Sequence, residues 1–125
     1  MRKLLILLVL CGSATAAEWK QEYRVVTATA YCSDPNCTVC VDVKYRDGKT
    51  ATMTDASKPG AAVDKLKIPL GSRLDIPGYG VWILADDTGS AIKGDKIDVR
   101  FADHQVAKEW GVKRLKIRVW AKEKK

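Results

Sequence analysis

Two segments near the C-terminal end constrain the fold more than anything else in this chain. In "KIDVRF", Ile97, Val99 and Phe101 alternate with Lys96, Asp98 and Arg100; in "RLKIRVW", Leu115, Ile117 and Val119 alternate with Lys116, Arg118 and Trp120. Strict period-two patterning over so few residues is the signature of strands with one buried face. Between them "HQVAKEW" reads as one short helix, capped by Asp103 and ended by Gly111.

Further strands are expected upstream. "EYRVVTATAY", Glu22 to Tyr31, is rich in β-branched and aromatic residues, and "VCVDVKY" alternates Val39, Val41 and Val43 with Cys40, Asp42 and Lys44. "RDG" at 46–48 signals a turn, and residues 49–62 read as loop for want of periodicity. Arg73 to Ile76 and Val81 to Ala85 form two more strands, joined through Pro77-Gly78-Tyr79-Gly80 as a tight hairpin, with a bend at Pro69 and Gly71. Six short strands and one helix, with no βαβ rhythm, predict an all-β protein built as a small barrel.

The chain has 125 residues, enough for one domain. Its start, "MRKLLILLVLCGSATA", carries Arg2 and Lys3, an apolar run from Leu4 to Leu10 and a small-residue Ala14-Thr15-Ala16 site. That pattern reads as a signal peptide over 1–16, leaving 17–125 as the exported domain. The run is too short to span a bilayer. Cys11 is an alternative lipidation point, but Leu10 before it is bulkier than lipidation favours.

Lys and Arg number 22 against 15 acidic residues. A basic exported domain is drawn to polyanions, and an anionic cell envelope suits it better than nucleic acid, because the lysines are scattered rather than interleaved with aromatics. Solubility alone is an equal explanation of the charge.

Cys32, Cys37 and Cys40 are spaced like part of a metal knuckle. A closed zinc site needs four ligands, and the only histidine, His104, lies far downstream, so no metal or other cofactor is expected. Export favours a disulfide within this loop, its pairing open and one cysteine left over. His104 reads as a surface residue of the helix. Trp82, Trp110 and Trp120 read as core or rim packing rather than as a sugar platform.

The stretch "DDTGSAIKGDKID" places Asp86, Asp87, Asp95 and Asp98 within thirteen positions. Like charges so close repel. An exposed acidic loop is one explanation; the other is that the glycine-bearing connection folds back and brings Asp87 and Asp98 to one barrel mouth, raising the pKa of one of them as a general acid requires. Alternation puts Asp98 opposite the core face, which is either plain solvent or a cleft floor.

The segments "AAVDKLKIPLGSRLDIPGYG", "ADDTGSAIKGDKIDV" and "VTATAYC" resemble the 3D domain, a bacterial family named for three aspartates and related to MltA-type lytic transglycosylases and stationary-phase survival muralytic proteins. The likeness runs from about Val25 to Val119, with V-D-x-x-x-I-P-L-G, D-T-G-x-A-I-K-G and I-D-V in the family's order. It implies a double-psi β-barrel and the trio Asp64, Asp87 and Asp98, leaving Asp86 and Asp95 outside. It further implies that Asp98 serves as general acid and base on the bond between N-acetylmuramic acid and N-acetylglucosamine, forming a 1,6-anhydro ring with no metal. Asp87 and Asp64 would support Asp98, and Thr29, Tyr31 and Thr88 would bind substrate. The implied partner is peptidoglycan, met by a monomer outside the cytoplasm, in the periplasm, at the outer membrane or beyond it. One departure is Ser90, where the family often has glycine.

Three other readings compete. A glycan-binding barrel without activity and a hydrolase using the same acids both share these residues. Asp87-Thr88-Gly89-Ser90 also spells the aspartic-protease motif, but a single copy would demand a homodimer and it sits late in the chain.

Overall fold

The computed structural model describes residues 18–37 and 47–122. The expected strand over Val39 to Tyr45, together with Cys40, the leader 1–16 and Cys11, lies outside the described residues. Six strands form a closed barrel: β1 (Trp19–Cys32), β2 (Ala61–Ala62), β3 (Arg73–Ile76), β4 (Gly80–Asp87), β5 (Lys96–Phe101) and β6 (Lys113–Lys122), in the order β1-β5-β2-β4-β3-β6. One helix, α1 (His104–Trp110), is present among the described residues.

The count of six matches the sequence expectation, but the membership differs. The sixth barrel strand is the pair Ala61-Ala62, inside the segment read as loop. A two-residue strand has no period to detect. It is held because β2 pairs on both sides, antiparallel to β5 and parallel to β4.

The core follows the alternation. Ile97 and Val99 of β5, Ile117 and Val119 of β6, and Val26 and Ala28 of β1 point inward with Leu74 and Ile76 of β3. On the outer face of β6, Lys116 and Arg118 lie over the Tyr23 ring, and Arg118 also approaches Trp120.

Local chemistry fixes the ends of the elements. The turn between β3 and β4 has Pro77 in its second position and Gly78, with φ 82°, in its third, closed by the Tyr79 N–H donating to the Ile76 carbonyl at 3.0 Å. That is the residue order a type II turn requires. Asp103 caps α1 by accepting from the N–H groups of Gln105 (2.8 Å) and Val106 (3.1 Å), and Gly111 ends it at φ 70°. Trp110, at the end of α1, is buried against Tyr79 and Phe101 and donates its indole N–H to the Ala28 carbonyl at 3.1 Å. Trp82 and Trp120 instead pack against each other at the rim, their rings tilted by 58° with centroids 5.8 Å apart.

Candidate functional site

Strand register creates the site. β1 and β5 run parallel with Thr29 opposite Asp98 and Tyr31 opposite Arg100. On the other side of β5, Asp98 stands opposite Ala62 of β2, and Ala62 stands opposite Asp87 of β4. Thr29, Asp98, Ala62 and Asp87 therefore form one row across four adjacent strands. The two acids are not brought together by the 88–95 connection alone, because β2 is threaded between the strands that carry them. Two interstrand steps put their Cα atoms on the order of 10 Å apart.

Within the row, the Thr29 hydroxyl donates to Asp98 Oδ1 at 2.8 Å. The Tyr31 hydroxyl donates to Asp87 Oδ2 at 3.2 Å. Asp87 has no exposed surface, and its Oδ1 also accepts from the N–H groups of Ala51 (3.0 Å) and Thr88 (2.9 Å). Asp98 is half-buried, on the face of β5 opposite Ile97 and Val99, as its parity predicts.

Asp64 lies two residues beyond Ala62 and does a different job. Its Oδ2 accepts from the Gly94 N–H at 2.8 Å and its Oδ1 from the Leu66 N–H at 3.0 Å, so it ties the loop after β2 to the loop before β5. The Gly94 amide, then that of Leu66, with Lys93 and Lys67 nearby, holds its pKa below the ordinary carboxylate value. A groove of about 400 Å³ opens between these loops, lined by Asp64, Leu66, Thr88, Ser90, Ile92 and Lys93 among others. Asp64 and Thr88 thus face the groove, while Asp98, Asp87 and Thr29 of the strand row, and Tyr31 bonded to it, do not line it. Ser90 keeps out of the left-handed region, where Met53 and Trp82 are the only non-glycine residues among those described, so serine is accommodated there without strain.

Sequence reasoning missed the centre of the hydrogen-bond network. The pairings Ala61 with Ala85 and Ala62 with Asp87 leave Asp86 as an extra residue, a β-bulge that buries Ala85, Asp86 and Asp87 in succession. Bulges re-aim side chains in this way. Asp86 meets the buried Arg100 through Nη1–Oδ1 at 2.9 Å and Nη2–Oδ2 at 2.8 Å. Arg100 Nη1 also donates to the Tyr31 hydroxyl at 3.1 Å, which links this pair to Asp87. Burial works against the Arg100 charge, but Asp86 and Tyr31 more than offset it and hold the guanidinium pKa above its usual value. Thr54 donates to Asp86 Oδ2 at 2.8 Å, and Arg100 Nε donates to the Lys58 carbonyl at 2.8 Å. Arg100 shares the parity of Asp98, so alternation assigns it to the wet face; the adjacent acids at the end of "VWILADD" were the available sign that a cation would be needed nearby. Asp95, the fourth acid, is a surface partner of Arg24 at 2.7 Å.

The sequence distance of His104 from the cysteines is not a distance in space. One ligand atom from each of Cys32, Cys37 and His104 lies within 4.8 Å of the others. Cys32 carries a free thiol.

A closed six-stranded barrel with a row of Thr29, Asp98, Ala62 and Asp87 across four strands, backed by a buried arginine–aspartate pair, defines a small acid-bearing β-barrel module. The sequence profile of the 3D domain matches residues 60–122, and the chain belongs to that family. It is 44% identical over 98 residues to YabE of Bacillus subtilis (strain 168), a protein named for cell wall shaping, covering 75% of this chain and 22% of the relative. It is also 44% identical over 98 residues to the cell wall-binding protein YocH of the same organism, covering 75% of this chain and 31% of that relative. The aligned region thus spans a third or less of these relatives' length.

Proposed function

We propose that this chain acts outside the cytoplasm on bacterial peptidoglycan, as a lytic transglycosylase with Asp98 as its general acid and base. The row Thr29–Asp98–Ala62–Asp87 carries the proposal, since it sets a half-buried acid, oriented by a hydroxyl, at one level with a second acid. The likeness to YabE and YocH, named for cell wall shaping and binding, supports the substrate class.

In the proposed reaction Asp98 gives its proton to the glycosidic oxygen as the bond from C1 of N-acetylmuramic acid breaks. The C6 hydroxyl of the same sugar attacks C1, and its proton returns to Asp98, leaving a 1,6-anhydro ring and no water consumed. Thr29 orients the acid. Asp87, ionised in this reading, stabilises the positive charge that develops at C1. Asp64 shapes the groove with Thr88, where neighbouring sugars or the stem peptide would lie.

A second reading is favoured by one observation, the name of YocH: the barrel grips peptidoglycan without cleaving it. Incubating the purified protein with peptidoglycan and weighing the products separates these readings. Anhydro-muropeptides are expected. Reducing ends would make the protein a hydrolase, and sedimentation with the wall without products would make it a binder.

A further inference from the structure

We propose that Cys32, Cys37 and His104 supply three of the four ligands of a zinc site at the end of the β1–β5 pair, with water in the fourth position. The strand pairing explains why residues so distant in sequence meet. β1 and β5 are parallel and end together, with Cys32 opposite Phe101. The Cys32–Cys37 loop leaves one strand and α1, which begins at His104, follows the other. Ser33 fastens the two exits by donating its N–H to the Phe101 carbonyl at 2.9 Å.

The loop is shaped for the purpose by its own hydrogen bonds. Asp34 Oδ1 accepts from the Asn36 N–H at 2.9 Å, the Asp34 carbonyl accepts from the Cys37 N–H at 3.2 Å, and the Asp34 N–H donates to Cys32 Sγ at 3.4 Å. This tight turn brings Cys37 back towards Cys32 across a C-x4-C spacing, within the range seen for zinc ligands.

The donor set selects the metal. Two sulfurs and one imidazole suit zinc, whereas calcium and magnesium demand oxygen. In a tetrahedral site with Zn–S about 2.3 Å and Zn–N about 2.0 Å, ligand atoms stand about 3.5–3.8 Å apart. Three donors already within 4.8 Å of one another reach that geometry by side-chain rotation. Binding releases the two thiol protons. The ion then joins the exits of the strands that carry Thr29 and Tyr31 on one side and Asp98 and Arg100 on the other, a structural clasp with no part in bond cleavage.

The test is metal uptake by the purified, thiol-reduced chain. One zinc per chain should bind, raise the melting temperature and protect Cys32 from a thiol reagent; cobalt substituted for it should show a thiolate-to-metal charge-transfer band and tetrahedral d–d bands. Cys32→Ser and His104→Ala should each weaken binding by more than about 100-fold, beyond the loss seen when only an outer partner of a metal ligand is removed. Both variants should melt like the metal-free parent, which separates a lost ligand from a lost fold. Absence of uptake by the reduced chain, unchanged affinity in either variant, or a cobalt spectrum without the sulfur band would overturn the proposal.

Discussion

Arg100 closes on Asp86 through both ends of its guanidinium, at 2.9 and 2.8 Å, with both side chains withdrawn from water. Such a pair is held less for net stability than because neither member tolerates the loss of the other. Replacing Arg100 by methionine leaves the Asp86 carboxylate buried beside Thr54 alone. Chemical denaturation of Arg100→Met should show a loss of about 3–5 kcal/mol. In the double variant Arg100→Met/Asp86→Leu much of that loss should return, and equal destabilisation of both variants would contradict a paired role.

Gly60 marks how closely the backbone approaches this pair. A methyl group there would lie 2.0 Å from Arg100 Nη2 and 2.7 Å from Asp86 Oδ1. The backbone on either side is fixed, since the Gly60 carbonyl accepts from the Arg100 N–H at 3.0 Å. Gly60→Ala should cost about 1–3 kcal/mol by overpacking, measured by urea unfolding. A neutral result would mean that the guanidinium has room to withdraw.

The two acids of the strand row should fail in different ways. Asp98→Asn is expected to lower turnover of peptidoglycan by roughly 10²–10⁴-fold, the usual worth of a general acid, with the melting temperature nearly unchanged. Asp87→Asn removes an oxygen acceptor from a fully buried group that serves Ala51, Thr88 and Tyr31. It should therefore cost about 1–3 kcal/mol of stability as well as activity. Thermal melts beside product assays distinguish the two, and retained turnover in Asp98→Asn would assign the chemistry to another acid.

Acid sensitivity follows from three carboxylates with lowered pKa values. In Asp64 the amides of Gly94 and Leu66 are responsible, in Asp75 the Trp82 amide and then the Trp120 indole, and in Asp55 the hydroxyl and amide of Ser57. A carboxylate whose folded pKa lies below its unfolded value stabilises the fold above the unfolded value and loses that contribution as pH falls through the folded one. Stability due to these groups should be level above their reference pKa of 3.8 and decline below it. Unfolding free energy measured against pH should show this limb, and Asp75→Asn should flatten it; a limb unchanged in that variant would assign the effect to other groups.

Much of this fold was legible because its strands are amphipathic in the simplest sense. Ile97 and Val99 face the core while Asp98 does not, Asp103 and Gly111 bound the helix, and Pro77-Gly78 turns the hairpin, each by a rule that acts over a few residues. The two-residue strand at Ala61 was not legible, because its existence depends on partners 24 and 38 positions away in Ala85 and Val99. The same holds for Arg100: only the bulge at Asp86, a property of two strands together, turns a residue of the wet face into a buried one. Asp64, Asp87, Asp98, Thr29, Tyr31 and Thr88 could be nominated from motifs, but their grouping into a strand row and a separate groove required the register.

Ala62 makes the spacing of Asp87 and Asp98 a property of the ladder, since each acid is indexed to the same small residue from opposite sides. The turn linking them does not by itself set that spacing. A change in its length would alter what the neighbouring groove accepts while the strand ladder holds the distance between the acids.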